Sequence, residues 1–147
     1  MTVQVINRLR DAAVPLAWLT RLARKAAQRL KIRGRGAFVV ACIDQRTMRA
    51  LNRRFLRHAG LTDVLSFNYL TGKPASAAPV GGVIGEVLVS PAFAKRYAKA
   101  HGLAYRDELA RYVVHGLLHW AGHDDATPAQ QRRMRVLEDR MLRTCRN

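Results

Sequence analysis

Negative charge is scarce in this chain. Ten Asp and Glu stand against 26 Lys and Arg, a formal net charge of +16. So one-sided a balance favours a polyanionic partner, most simply nucleic acid or a ribonucleoprotein. Cysteine is also scarce: Cys42 and Cys145 are the two present, and no C-x-x-C pair exists. That argues against a disulfide framework and against a thiolate zinc site. Cys42 lies in an apolar run and reads as a small core residue. Long hydrophobic runs are missing too. No stretch approaches the ~18 apolar residues of a membrane span, and the alternating N-terminus lacks a signal-peptide core. A cytoplasmic protein is the expectation. At 147 residues the chain reads as one domain over 1–147, with a monomer favoured.

What is present is unevenly distributed. Residues 1–62 hold 14 of the Lys and Arg and only two acids, Asp11 and Asp44. Apolar periodicity gives a first strand from Val3 and a helix over about 16–30, with Pro15 just before it. The polar side of this helix carries Arg21, Arg24, Lys25 and Arg29, candidate contacts to an RNA backbone. The continuous run Ala37–Ile43 reads as a buried strand, and Asp44 as the cap of a helix over about 45–56. Strands follow at 62–69 and 83–89, separated by a loop at 71–82. Ser90 and Pro91 open a helix that ends near Gly102. Asp107 is expected to open the next helix, which runs to about Ala121, and Thr127-Pro128 opens a last amphipathic one. The expected fold is α+β: a small mixed four-stranded sheet packed with about five helices.

Chemistry concentrates in the C-terminal half. His115 and His119 are one helical turn apart, about 6 Å along the axis, so two imidazoles on one face can converge on one ion. A third ligand at position 123 of a continuous helix would lie about 12 Å from position 115. The chain must turn back, and Gly122 permits this by a left-handed helix end. Asp125 is then the first choice for third ligand, with His123 the main alternative and Asp124 a lesser one. Three ligands leave a fourth tetrahedral position for water, as in catalytic zinc sites. A metallopeptidase helix carries Glu directly after its first histidine. Here that position is Gly116, which weighs toward a substrate bringing its own charge, such as a phosphodiester.

The blocks around this motif resemble a known family, the YbeY endoribonucleases or rRNA maturation factors. The family pattern H-G-x-L-H-x-x-G-[YH]-D-H is similar to His115-Gly116-Leu117-Leu118-His119-Trp120-Ala121-Gly122-His123-Asp124-Asp125. Upstream, Leu51-Asn52-Arg53-Arg54-Phe55, Thr62-Asp63-Val64-Leu65-Ser66-Phe67 and Gly85-Glu86-Val87-Leu88-Val89-Ser90 resemble its other blocks, in the same order. The resemblance implies a zinc-dependent, single-strand-specific endoribonuclease. It would act in ribosomal RNA processing at the small-subunit 3′ end and in ribosome quality control, with RNA and the small ribosomal subunit as partners. Asp63 and Ser66 would be cleft residues.

Two positions depart from the family pattern. The family usually has His as third ligand, where this chain has Asp125; a carboxylate is an acceptable zinc donor and widens the choice of divalent ion. Many members carry Arg where this chain has Leu56, and Arg57 follows one residue later, a turn of about 100° on a helix. Arg57 is the first choice for neutralising developing charge. Glu86 is a candidate acceptor for a ligand histidine, or else a solvent-facing strand residue. Trp120 reads as core, with base stacking the lesser reading. From other functional classes, a ribosome-associated assembly factor with a structural metal also fits the charge and the blocks. A metallopeptidase fits less well.

Overall fold

The computed structural model describes residues 2–10, 13–55, 64–69 and 82–145. Its elements are β1 (Thr2–Asn7), α1 (Leu16–Arg29), β2 (Ala37–Cys42), α2 (Gln45–Phe55), β3 (Val64–Asn68), β4 (Val83–Val89), α3 (Pro91–His101), α4 (Tyr105–Trp120) and α5 (Pro128–Cys145). Among the described residues, no helix is long and apolar enough to cross a membrane. The strands form one sheet in the order β1-β2-β4-β3. β1, β2 and β4 run parallel, and β3 pairs antiparallel with β4 along its outer side. This is the mixed four-stranded sheet with five helices that the periodicity implied.

Helices cover both faces, which explains why β2 is a continuous apolar run rather than an alternating one. Phe38, Val40 and Cys42 of β2 join the larger core with α1, α4 and α5. Val39, Ala41 and Ile43 point the other way and pack with Met48 of α2, Leu65 and Leu88. Burial pushes the Cys42 thiol up to about 11, as expected of an inert core cysteine.

The expected caps form. Thr47 N–H donates to the Asp44 carboxylate at 2.6 Å, and Phe93 N–H to Ser90 Oγ at 3.2 Å. Thr127 and Gln130 form a reciprocal capping box, with Gln130 N–H on Thr127 Oγ1 and Thr127 N–H on Gln130 Oε1, both 3.1 Å. One boundary differs. α4 begins at Tyr105, two residues before the expected Asp107, behind an extended Ala104 that offers no side-chain cap. The Tyr105 hydroxyl is anchored on Ala13 O at 3.0 Å. Asp107 and Glu108 therefore lie inside the first turn, where their charge favours the positive end of the helix dipole.

Candidate metal centre

α4 is the element that positions the site. It lies against β3 and β4, and its close approach depends on Gly116. A Cβ there would overlap Val87 and come within 3.1 Å of Val64 Cγ1. Position 116 thus points at the sheet, while His115 and His119 are half-buried on other sides of the helix. A glutamate at 116 would run into β4 and could not serve as a base beside the histidines. Ser66 of β3 ties the same turn to the sheet edge, its Oγ donating to Gly116 O at 2.8 Å.

The helix ends as the glycine spacing implied. Gly122 has φ +103°. Gly122 N–H bonds to His119 O, and His123 N–H to Leu118 O, both at 3.0 Å, a Schellman turn. The reversed chain carries Asp125 back to the histidines. His119 Nε2 lies 3.2 Å from Asp125 Oδ1, and His115 Nε2 lies 3.5 Å from Asp125 Oδ2. One ligand atom from each of the three residues falls within 4.8 Å of the others. Among the described residues this is the one group of three or more such side chains that could hold a metal ion, and His123 does not join it.

The spacing fits an ion. Tetrahedral bonds of about 2.0–2.1 Å place neighbouring ligand atoms about 3.3 Å apart, close to both separations just given. The donor chemistry fits as well. His115 Nδ1 lies 2.7 Å from Glu138 Oε2 on α5. An ionised carboxylate can only accept, so Nδ1 donates and the Nε2 lone pair faces Asp125.

Glu138 is the site residue that sequence reasoning missed. It is 5% exposed, and Arg111 holds its other oxygen at 3.0 Å while reaching Asp139 at 2.8 Å. Burial works against the Arg111 charge, but its bonds to Asp139 and Glu138 outweigh this and raise its pKa. A signal was present: Glu138 stands midway between buried Met134 and Leu142, an acid at helical spacing within an apolar line. Glu86, the acceptor considered for a ligand histidine, serves neither expected role. It accepts from Tyr69 Oη at 3.1 Å and pairs with Arg8 at 3.6 Å. Burial, then the Glu86 charge, pushes the Tyr69 hydroxyl up to about 12. Trp120 packs edge-on against Phe38, centroids 5.1 Å apart, in accord with its reading as core.

Arg57, Asp63 and Leu56 lie outside the described residues, as does nearly all of the 71–82 loop. On α1, Arg21, Arg24 and Arg29 are exposed and Lys25 is half-buried. Arg24 Nε reaches Val3 O at 3.4 Å, on the β1 edge of the sheet. α1 itself packs against α4, with its basic side chains turned outward. None of the four basic residues lines the cavity beside the histidine cluster.

Comparison with known proteins places this geometry. The family model described as endoribonuclease YbeY matches residues 5–146. An endoribonuclease YbeY of Corynebacterium kroppenstedtii is 33% identical over 147 residues, covering 97% of this chain and 73% of that one. One from Myxococcus xanthus is 38% identical over 124 residues, 84% of this chain, but the match spans only 41% of that longer protein. A solution structure from Thermotoga maritima shares the fold, with a TM-score of 0.59 at 20% identity, covering 97% of this chain and 91% of the other. The chain belongs to the endoribonuclease YbeY family.

Proposed function

We propose that this protein is a zinc-dependent endoribonuclease specific for single-stranded RNA. Its task is ribosomal RNA processing at the small-subunit 3′ end and ribosome quality control. The observation that carries the metal chemistry is the convergence of His115, His119 and Asp125 at ligand spacing. Family membership supplies RNA as the substrate class.

His115, His119 and Asp125 hold the ion. Glu138 fixes the tautomer and ring orientation of His115, and Arg111 fixes Glu138 in turn. A bound zinc ion supplies a Lewis acid for a phosphate oxygen and lowers the pKa of water. Arg57 neutralises charge that develops on the phosphate. Asp63 and Ser66 take the roles the family pattern implies, and Ser66 also holds Gly116, positioning the helix. Arg21, Arg24, Lys25 and Arg29 grip the RNA backbone. The small ribosomal subunit is the partner, the protein works in the cytoplasm, and the monomer is the working unit. The buried setting of Gly116 favours this reading over a peptidase, because no base can be housed there.

The test is elemental analysis of wild type, Asp125→Ala and His123→Ala, together with cleavage of matched single-stranded and duplex RNA. Loss of zinc and of cleavage in Asp125→Ala but not in His123→Ala is expected. Retained metal in Asp125→Ala, or no cleavage by fully loaded wild type, would refute the reading. The second of these outcomes would leave an assembly factor with a structural metal.

A further inference from the structure

Beside the histidine cluster lies a cavity of about 290 Å³ between α3, α4 and α5, with His115 and Asp125 on one side. Its other walls do not resemble a metal site. Tyr97 and Tyr112 contribute aromatic rings, Met134 an apolar surface, Gln131 an amide, and Arg111 and Arg135 guanidinium groups.

The aromatic walls and Arg111 are held in place before any ligand arrives. Tyr97 stacks on His101 with centroids 3.9 Å apart and lies 6.4 Å from Phe93. Phe93 in turn packs 6.2 Å from Tyr112. Arg111 is held by Glu138 and Asp139. A preset pocket loses little entropy on binding. Gln131 and Arg135 are exposed and bring both donors and an acceptor to the space.

The mixture selects among ligands. A bare phosphate would meet the two guanidiniums but also the carboxyl groups of Glu108, Asp125 and Glu138, which line the same space. Like charges at that range disfavour an anion. A neutral, flat group with a polar edge suits aromatic, thioether, amide and guanidinium neighbours together, and that is the chemistry by which unpaired bases are recognised. The volume is at the lower end for small-molecule sites, sized for a base with its ribose.

We propose that this cavity receives the nucleobase of the nucleotide adjoining the phosphate at the metal centre. The proposal rests on the RNA-cleavage reading above and deepens it: the enzyme reads one base beside the bond it cuts, so cleavage carries a base preference. Gln131 and Arg135 determine that preference.

The test titrates the zinc-loaded full chain with the 5′-monophosphates of adenosine, guanosine, cytidine and uridine, and with ribose 5-phosphate, followed by NMR. At least one nucleotide is expected to bind about 10-fold or more tightly than ribose 5-phosphate, the order expected for stacking of one base. The signals of Tyr97, Tyr112 and Gln131 should shift. Gln131→Trp, which fills the mouth of the cavity from an exposed position, should remove the nucleotide advantage and keep the weak ribose 5-phosphate binding. Arg135→Ala, the second variant, should reduce the advantage and flatten the base preference of cleavage. Equal binding of nucleotides and ribose 5-phosphate, or an unchanged preference in both variants, would overturn the proposal. A wild type that cuts RNA but shows no nucleotide advantage defeats the subsite alone. A wild type that binds nucleotides here yet cuts no RNA defeats the endoribonuclease reading and leaves the subsite standing.

Discussion

α1 and α4 lie on the same face of the sheet and end in the same hydrogen-bonded turn, yet they present different side chains. Lys31 N–H bonds to Gln28 O and Ile32 N–H to Ala27 O after α1; Gly122 and His123 repeat the pattern after α4, all at 3.0 Å. α1 uses a lysine at φ +55° where α4 uses a glycine at φ +103°. α1 carries its charge outward on flexible side chains. α4 is buried along most of its length and presents two histidines whose directions are set by Glu138 and by the returning Asp125. The charge that we propose attracts RNA tolerates loose placement. Ligands for one ion do not, and here Arg111, Glu138, Asp139 and His115 are joined by hydrogen bonds.

The sharpest way to break this contrast is His119→Ala. It should empty the centre, with metal affinity and RNA cleavage both falling by well over ~100-fold, since even indirect supports of a ligand are worth 10–100-fold. Elemental analysis and a cleavage assay read both, and unchanged metal content would end the distinction between the helices. Next comes Glu138→Ala, which leaves Arg111 and His115 facing a vacated buried position. We expect a loss of about 3 kcal/mol in urea unfolding. Glu138→Gln should keep most of the fold while weakening metal binding about 10–100-fold. Full affinity in Glu138→Gln would show that the ring needs no carboxylate.

Gly122→Ala forces a side chain into the left-handed turn, at about 1–2 kcal/mol, and shifts Asp125, so zinc affinity should drop alongside stability. Lys31→Gly is its mirror on α1: a gain of up to about 1 kcal/mol with metal binding untouched. If the lysine variant changed zinc affinity, the two turns would be coupled. The smallest effect on stability is expected from the triple change Arg21→Ala, Arg24→Ala, Arg29→Ala, within about 0.5 kcal/mol per exposed site. Its signature lies elsewhere: the log–log salt slope of single-stranded RNA binding should become shallower by about 2, at about 0.7 for each phosphate no longer neutralised. An unchanged slope would remove α1 from the RNA-binding surface.

Much of the fold was legible because its determinants are local. Asp44, Ser90 and Thr127 announce helix starts from within four residues of the groups they cap. Gly122 announces the turn that returns Asp125. The unbroken apolar run of β2 announced two covered faces. The site was legible where it is written in one turn of helix, at His115 and His119. Glu138 was not, because its role depends on how α5 docks on α4, 23 residues away, and no periodicity encodes that. The start of α4 was missed for a similar reason: Tyr105 is held by a bond to Ala13, 92 residues distant. Gly116 was read from sequence as a missing base. Its closeness to Val87 adds that no base could have stood there.

The Schellman turn after α4 has one more consequence, for how the chain finds its structure. Asp125 returns to His119 across six residues, and Glu138 reaches His115 from the very next helix. The ligands and their support thus come from a single helical hairpin, while the sheet must pair β1 with β2 and β2 with β4 across whole intervening helices. Closing short loops costs little chain entropy compared with distant strand pairing. The candidate metal site is thus drawn from one local hairpin, and an ion held there would tie α4 to α5.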